Sequence, residues 1–445
     1  MLNRIVSIIG ALLVFCSLTF AGEPELIPVD PVMIAPFIVL LAAIALGPFV
    51  NKEWWEHNYP AVAVSLGLLT VGYYIFIIHN TPRVLTTAHE YFSFIVLIGS
   101  LYVVSGGIYF QLRGKSTPMN NVILLGIGAV TANIVGTTGA SMLLIRPYIK
   151  VNRYRIKPFH IVFFIFLVSN IGGAITPIGD PPLFLGYLKG IPFFWIAQYV
   201  WWEWLFVVVL LLLIFFIIDE RDYKKQSERV QERVEKEGEE ARIGGIGNVG
   251  FLMTILIAVF IENPMFLREI LMITAAVLSY KTTQKSVHEK NEFNFHPIKE
   301  VAILFIGIFA TMMPALDWLT LNAAKLGLTS TSHYFWATGT LSAVLDNAPT
   351  YLNFLTAAMG LHGFSIDNSA HMHEFLAQHW DYVQAVSLAA VFFGACTYIG
   401  NGPNFMVKSI AEQSGIEMPS FMQYIIRYTL VFLVPIYFIF WLVFF

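Results

Sequence analysis

Long apolar segments follow one another along almost the whole chain, and this feature limits the possible folds more than any other. A helix needs about 20 mostly apolar residues to cross a bilayer, and many of the segments reach that length. Only 12% of the 445 residues are charged, about half the fraction in a soluble domain. We therefore predict an all-α polytopic membrane protein. The segments lie near residues 32–50, 59–79, 91–110, 119–145, 158–188, 193–218, 248–261, 265–280, 300–317, 333–359, 384–410 and 421–444.

Two short motifs indicate that the first six and the last six segments are repeats of one unit. GAITPIGDPPLF (173–184) aligns without gaps with GACTYIGNGPNF (394–405), with identical residues at seven of twelve positions. Another apolar segment with a polar interruption precedes each motif, at 130–145 and 341–356. Such self-similarity is the sequence sign of an internal repeat. The predicted organisation is a first transmembrane repeat (23–218), a charged cytoplasmic linker (219–245) and a second, inverted transmembrane repeat (246–445).

Two further segments lie outside the repeats. Arg4, a short apolar core and small residues at Ala21 and Gly22 predict a signal peptide over 1–22, with an uncleaved extra span as the alternative. The stretch 219–242 alternates acidic and basic residues, which indicates a solvated helix that connects the repeats.

Charges beside the interrupted segments predict their orientation, because short cytoplasmic loops are enriched in Lys and Arg. Both flanks of 130–145 are basic, so this segment should enter and leave on the cytoplasmic side as a re-entrant hairpin. The flanks of 341–356 carry acids and one Lys, which predicts a second hairpin that enters from outside. Two opposed hairpins are what an inverted repeat produces. The basic residues are Arg113 and Lys115 before the first segment and Arg146, Lys150, Arg153, Arg155 and Lys157 after it.

Four interruptions place glycine, proline and polar residues at membrane depth. Such backbone is tolerated only where protein buries it or where it lines a cavity, and in secondary transporters it forms the substrate site near the midplane. The polar side chains include Asp180 and Asp346, and none is basic. Their oxygens suit Na⁺ or Li⁺, although both aspartates could simply cap the helices that follow. The predicted interruptions are 136–141, 172–182, 346–350 and 400–404.

The motifs resemble those of the ion transporter superfamily, which includes NhaD-type sodium/proton antiporters, arsenite transporters and citrate or dicarboxylate transporters. SNIGGAITPIGDPP (169–182) is most similar to the NhaD-type motif, and LSAVLDNAPT (341–350) to a motif of the antiporter and arsenite branches. The resemblance covers 32–445 and implies inverted repeats, each with a re-entrant hairpin and a broken helix, a scaffold part, a moving part and usually a homodimer. It implies Na⁺ at Asp346, Asn347 and Asp180, within a site of Thr137, Thr138, Asn170, Thr176, Asp180, Asp346, Asn347, Thr350, Thr397 and Asn401.

The chain departs from the antiporter pattern at two places. Gly136-Thr137-Thr138-Gly139 stands where antiporter relatives carry an Asp or Asn pair. Asn401 occupies the place in the second motif that Asp180 has in the first. The number of cation sites and the stoichiometry therefore stay open.

The pattern favours a secondary active transporter rather than an enzyme, and first of all a Na⁺(Li⁺)/H⁺ antiporter that works by alternating access. The alternative is a cation-coupled transporter of a small anion such as citrate, bound at half-helix N-termini. A channel is a further alternative, and the chain has no HExxH motif for an intramembrane metalloenzyme. We expect a multi-pass protein of the bacterial inner membrane, with Na⁺ and H⁺ as transported ions, no cofactor and no nucleic-acid partner.

Overall fold

The structure, a computed structural model, describes residues 26–111, 115–226, 242–261 and 263–445. Seven helices in this part of the chain are long and apolar enough to cross a membrane, which confirms the predicted all-α polytopic fold. The predicted signal peptide (1–22) lies outside the described residues. The seven helices span Pro31–Pro48, Glu53–Ile77, Thr81–Gly106, Pro118–Val151, Trp195–Lys224, His296–Leu326 and Phe421–Phe444.

Proline sets several helix starts in the first half of the chain. Its fixed φ suits the first helical turn, where its missing N–H has no partner to lose. Pro118, Pro158 and Pro181 each open a helix in this way. The elements are α1 (Ala35–Val50), α2 (Lys52–Gly72), α3 (Thr81–Gly106), β1 (Tyr109–Gln111), α4 (Pro118–Val151), α5 (Pro158–Leu167), α6 (Pro181–Leu188) and α7 (Trp195–Lys224).

The second half uses side-chain caps as well as proline. Ser330 accepts a hydrogen bond from the His333 N–H, and Asn368 accepts from the N–H groups of Ala370 and His371. The elements are β2 (Arg242–Gly244), α8 (Asn248–Ala258), α9 (Leu267–Thr282), α10 (Lys285–Lys290), α11 (His296–Asn322), α12 (Thr331–Ser342), α13 (Asn347–Leu361), α14 (Ser369–Gln378), α15 (Trp380–Gly394), α16 (Gly402–Gln413) and α17 (Phe421–Phe444), whose stretch Ile425–Leu433 is π-helical.

The helices pack as two groups, and each half of the chain contributes to both. The first helix group contains α1–α3, α8, α9 and α11, in which α11 packs on α2 and α3 and α9 packs on α3. The second helix group contains α4–α7 and α12–α17, in which α15 packs on α12 and α13 and α16 packs on α4. The groups meet where α3 faces α4 and where α11 faces α13.

Small residues let α2 and α11 approach closely inside the first helix group. A Cβ at Gly307 would lie 2.7 Å from the Ala63 carbonyl oxygen, and a Cβ at Gly67 would lie 3.3 Å from Ala310 Cβ. Close backbone approach at small residues is a common basis of helix association in membranes, where lipid offers apolar contacts of its own.

Helix α4 is a helical hairpin, hereafter hairpin 1. Its backbone breaks at Gly136, where φ is 79° and ψ is 155°. The Asn121 and Asn152 side chains near its two ends exchange hydrogen bonds of 2.9 and 2.8 Å. A straight helix of 34 residues would hold its ends about 50 Å apart. The two halves therefore fold back on each other, with both ends at one face of the protein.

Helices α12 and α13 form a second hairpin, hereafter hairpin 2. The chain leaves the helical conformation over 343–346 and resumes it at Asn347. The two ends meet at Tyr382, which donates a hydrogen bond to the Thr329 carbonyl oxygen over 2.9 Å and packs its ring 5.0 Å from that of His362.

The two hairpins enter from opposite ends of α7. At the base of hairpin 1, the Asn121 side chain donates to Asp219, in the last turns of α7. Near the base of hairpin 2, Gln384 donates to the Tyr199 carbonyl oxygen and to Glu203, in its first turns. These contacts lie 16 to 20 residues apart along α7, which corresponds to about 24 to 30 Å.

The four interruptions are present, but each ends earlier than the sequence predicted. Helix resumes at Thr137, Pro181, Asn347 and Gly402, after non-α-helical backbone at 136, 168–180, 343–346 and 395–401. At three of them the reason is that proline fits the first helical turn, and Pro181, Pro349 and Pro403 each stand within it. In hairpin 1 only Gly136 leaves the helical conformation, and helix resumes without a proline.

The linker begins later than predicted. Helix α7 continues to Lys224, and Asp219, placed by prediction in the solvated linker, is fully buried in an ion pair with Arg155. Residues 227–241 lie outside the described part of the chain. Strand β2 follows them and pairs antiparallel with β1, which fixes the end of the linker beside α3.

Candidate functional site

Asp180 ends the first broken segment (168–180), and both hairpin tips and the second broken segment (395–401) converge on it. Its Oδ1 accepts hydrogen bonds from the Thr137 hydroxyl at 2.6 Å and from the Asn401 amide at 2.9 Å. Its Oδ2 accepts from the Asn347 amide at 2.6 Å. Asp180 is 1% exposed and makes no hydrogen bond to the N–H groups of its own helix α6. The structure therefore does not support a role for its side chain as a simple helix cap.

The tip of hairpin 1 is tied to the first broken segment by backbone as well as side chains. The Thr137 N–H donates to the Gly179 carbonyl oxygen at 2.8 Å. The Thr176 hydroxyl donates to the Asn133 carbonyl oxygen at 2.6 Å and accepts from the Gly179 N–H at 3.0 Å. These bonds hold the loop before α6 against the hairpin and thereby position Asp180.

The tip of hairpin 2 meets the second broken segment in the same way. The Asn347 N–H donates to the Gly400 carbonyl oxygen at 3.2 Å. The Thr397 hydroxyl donates to the Ala343 carbonyl oxygen at 2.6 Å and accepts from the Gly400 N–H at 3.1 Å. These contacts repeat those of the first hairpin tip, with Asn347 in the place of Thr137, Gly400 of Gly179, Thr397 of Thr176 and Ala343 of Asn133. The two hairpin tips therefore share one backbone arrangement.

Glycines recur in the two motifs because each loop folds back onto its own backbone. A Cβ at Gly179 would lie 2.1 Å from the Gly173 carbonyl oxygen, and a Cβ at Gly400 would lie 2.7 Å from that of Gly394. Neither position can hold a side chain without moving the backbone.

The Asn170 amide binds neighbours of the site rather than Asp180 itself. Its amide donates to the Asn404 side chain at 2.6 Å and to the Ile165 carbonyl oxygen at 2.8 Å. Asn404 in turn donates to the carbonyl oxygens of Gly394 and Thr397, both at 2.8 Å. This pair of buried amides connects the two broken segments directly.

Asp346 and Thr350 act in the first turn of α13. The Asp346 Oδ1 accepts from the Ala348 N–H at 3.0 Å, and the Thr350 hydroxyl donates to the Asp346 carbonyl oxygen at 2.9 Å. Asp346 is half-buried. Of the two aspartates, it is therefore the one whose side chain caps a helix.

Thr138 lines a small cavity beside Asp180. The cavity holds about 30 Å³ between the tip of hairpin 1, the loop before α6 and residues Leu97–Tyr102 of α3. One water needs roughly 10–15 Å³ by this measure. The space therefore admits a small cation with a water molecule, but not a citrate-sized anion without a further opening.

Four half-helices begin at Asp180 or in hydrogen-bond contact with it: the second half of α4 at Thr137, α6 after Asp180 itself, α13 at Asn347 and α16 after Asn401. Each helix N-terminus carries a partial charge of about +0.5, so together they supply about +2. Among the described residues, the side chains that contact Asp180 are neutral hydroxyl and amide groups.

Carbonyl groups freed at the ends of the preceding half-helices have donors of their own. In the first broken segment, the Trp204 indole donates to the Gly172 carbonyl oxygen at 3.0 Å. In the second, α17 supplies hydroxyl donors: Tyr424 to Ala395 at 2.9 Å and Thr429 to Cys396 at 2.6 Å. Protein donors therefore satisfy these three carbonyl groups.

Two buried amide oxygens lack a donor among the described residues, Asn170 Oδ1 and Asn347 Oδ1. The point where a Cβ on Gly394 would lie is 3.0 Å from Asn170 Oδ1 and 3.2 Å from Asn347 Nδ2. Unpaired buried acceptors are uncommon, and each calls for an explanation such as an ion or a water. These oxygens fit the hard-oxygen environment that the sequence predicted.

The structure thus brings together four of the ten predicted site residues at one point, Thr137, Asp180, Asn347 and Asn401. Thr176 and Thr397 bind the two loops to the hairpins, and Thr138 lines the cavity. Asn170 contacts Asn404 rather than Asp180. Asp346 and Thr350 form the start of α13. The predicted site omitted Asn404, although its polar side chain one residue beyond Asn401-Gly402-Pro403 was a visible signal.

The comparisons with known proteins agree with a transporter. No curated protein matches the chain. A family model described as "Putative citrate transport" matches residues 28–445, which is nearly all of the chain. This match supports a transporter family without singling out the NhaD-type antiporters. The chain belongs to this citrate transport family.

Proposed function

We propose that the protein is a cation-coupled secondary transporter of a small carboxylate of the citrate class, with Asp180 as the coupling group. The observation that carries the proposal is the convergence of four half-helix N-termini on a single buried carboxylate. Membership of the citrate transport family favours this substrate class over simple Na⁺/H⁺ exchange.

The balance of charge supplies a reason for coupling. The four N-termini provide about +2, which attracts a carboxylate anion, but Asp180 and the neighbouring Asp346 together provide up to two negative charges. While both aspartates are ionised and unpaired, they cancel this positive charge, so the site does not attract an anion. A cation or proton at Asp180 restores the attraction, so each partner favours binding of the other. Such mutual dependence is what coupled transport requires.

The chain's own residues would divide the task as follows. Asp180 holds the cation or proton, and the Asn347 and Asn401 amides orient its carboxylate. The backbone N–H groups at the hairpin tips face the carboxylates of the substrate once the tips separate. The cavity of about 30 Å³ is too small for citrate, so a hairpin must move before the anion enters.

A Na⁺(Li⁺)/H⁺ antiporter is the second candidate function. It is favoured by the absence of basic side chains among the described contacts of Asp180 and by a cavity of cation size. In that case a cation and a proton compete for Asp180, with Asp346 and Asn347 as further oxygen ligands, and no anion takes part.

Transport by the purified protein in proteoliposomes distinguishes the two functions. For the carboxylate carrier we expect uptake of labelled citrate, given as its choline salt, only when Na⁺ or an inward proton gradient is present. For the antiporter we expect Na⁺ or Li⁺ alone to dissipate a preformed proton gradient, with no effect of citrate. Dissipation by Na⁺ without any citrate uptake would overturn the first proposal.

We further propose that the two halves are inverted repeats in a bacterial inner membrane. The matched hydrogen bonds at the two hairpin tips and the opposed directions of the hairpins support this arrangement. The predicted topology places 146–157 and 219–242 in the cytoplasm and 361–383 outside. Single cysteines in these loops, probed with a membrane-impermeant thiol reagent, test it, and labelling of 146–157 from outside would contradict it.

A further inference from the structure

We propose that five charged residues form a latch that closes the transport pathway at the face of the protein that carries the loop between α13 and α14. The latch consists of Arg83, Glu90, Lys189, Asp317 and Asp367. The proposal rests on the proposed function, because a latch of this kind matters only to a protein that alternates between two open states.

The five residues form one connected network. The Arg83 guanidinium contacts Asp317 at 2.8 Å and Asp367 at 2.9 Å. The Lys189 ammonium contacts Glu90 at 2.7 Å and Asp367 at 2.6 Å. Three acidic and two basic residues give a net charge of −1, and every charge has a partner of opposite sign.

The network connects the two helix groups. Arg83 and Glu90 lie on α3 and Asp317 on α11, which belong to the first helix group. Lys189 follows α6 and Asp367 lies in the loop after hairpin 2, so both move with the second helix group. Two ion pairs cross between the groups, Arg83–Asp367 and Lys189–Glu90. Any sliding of one group past the other must break both.

The latch lies between the cavity and one face of the protein. Along α3, Arg83 and Glu90 precede the cavity-lining residues Leu97–Tyr102, and Glu90 to Leu97 is seven residues, about 10 Å. Along α6, Asp180 precedes Lys189 by nine residues, about 13 Å. Two helices therefore lead directly from the site to the latch.

Burial makes the latch effective as a barrier. The side chains of Arg83 and Lys189 are each 3% exposed, and that of Asp317 is 4% exposed. Burial disfavours the ionised form of Asp367, but Arg83 and Lys189 outweigh it and hold the pKa of that carboxyl well below its usual range. Breaking one partner of a buried ion pair leaves an uncompensated charge, which is strongly unfavourable. The closed arrangement is thereby held until one helix group slides past the other.

Accessibility of the cavity to a thiol reagent tests the latch without any substrate. The background variant lacks native cysteines (Cys16→Ala, Cys396→Ala) and carries Leu97→Cys, a buried position that lines the cavity. Adding Lys189→Met with Glu90→Gln removes one crossing pair. We expect an impermeant maleimide to label the thiol at position 97 at least about tenfold faster than in the background variant. The increase should occur from the face that carries 361–383 and not from the other face.

A matched control is Lys224→Met with Glu220→Gln, which removes a Lys–Glu pair within α7 whose lysine is exposed and whose glutamate is partly exposed, and which should leave the labelling rate unchanged. Asp367→Asn provides a second route, since this residue contacts both cations and asparagine keeps its size. An unchanged rate in folded Lys189→Met/Glu90→Gln and Asp367→Asn proteins would overturn the latch. So would an equal increase from both faces, because that result indicates general loosening. The labelling result does not depend on which solute is carried, so it is separable from the substrate proposal.

Discussion

The two broken segments share a backbone but differ in charge. In both, a threonine hydroxyl ties the loop to a hairpin and a glycine carbonyl accepts from the first N–H of the hairpin's second helix. At the corresponding next position, however, the first segment has Asp180 and the second has Asn401. These two residues are themselves hydrogen-bonded at 2.9 Å.

The comparison separates what these two segments need for folding from what the proposed transport needs. Either an aspartate or an asparagine can stand after these loops, since neither side chain caps its own helix. The charge is therefore not required by the local backbone. Asp180 is in contact with amides and a hydroxyl and with no second carboxylate among the described residues, whereas two carboxylates in contact would share a proton.

The largest effect is expected for Asp180→Asn. Asparagine keeps the size of the side chain but removes the charge that holds the cation or proton. We expect coupled transport to fall roughly a hundredfold, because this factor corresponds to about 2.7 kcal/mol, the size of one lost interaction with a charged group. Solute flux in proteoliposomes measures this. Asp222→Asn, which alters a carboxylate paired with Lys157 at the end of α7, should transport normally; equal loss in both variants would refute the special role of Asp180.

Exchanging the charge between the two segments, with Asp180→Asn and Asn401→Asp together, tests whether they are equivalent. The two positions touch and share one backbone design, so we expect the double variant to regain roughly tenfold over Asp180→Asn alone. The same flux assay checks it, with Asn401→Asp alone as the reference that places two carboxylates in contact. No recovery in a folded double variant would show that the surroundings of Asp180 are specialised beyond its charge.

A smaller effect is expected at the tip of hairpin 1. Thr137→Val keeps the shape but removes the hydroxyl that donates to Asp180 at 2.6 Å, and transport should fall about tenfold. Thr137→Ser restores the hydroxyl and should restore most of the flux. If valine and serine behave alike, the contact between the tip and Asp180 does not matter for transport.

The smallest effect is expected for Asp346→Asn. Asparagine caps helices as well as aspartate, so the free energy of unfolding should change by no more than about 1 kcal/mol. Under the proposed function, the variant should need more cation for the same flux and still reach a similar maximum. A thermal unfolding measurement and a Na⁺ titration of flux test both expectations. A loss as large as that of Asp180→Asn would remove the distinction between the two aspartates.

The sequence predicted the main residues of this site but not the different role of each. Thr137, Asp180, Asn347 and Asn401 could be named because each stands at a helix break inside an apolar segment, where polar residues are expensive. Asp180 and Asp346 looked alike in sequence, since each precedes a proline-containing helix start. Only the folded chain shows that Asp346 binds its own helix while Asp180 accepts from three distant segments.

The fold was predictable to a similar degree. The length of the apolar segments predicted the membrane helices. The charges beside the interrupted segments predicted two opposed hairpins, and the hydrogen bond between Asn121 and Asn152 shows that hairpin 1 folds back on itself. The latch could not be predicted, because Arg83 and Asp367 are separated by 284 positions in the sequence. Asp219 was assigned to solvent for the same reason: its partner Arg155 lies 64 residues earlier.

The conformation of Gly136 affects which residues can form the tip of hairpin 1, and so which contacts break when the tip moves. With φ at 79° and ψ at 155°, this position lies in a region that is essentially restricted to glycine. The corresponding residue of hairpin 2, Asp346, has φ at −59°, a conformation that does not require glycine. Hairpin 1 thus ends in an uncharged tip. Its withdrawal breaks the hydrogen bonds from Thr137 to Asp180 and to the Gly179 carbonyl oxygen but separates no pair of opposite charges.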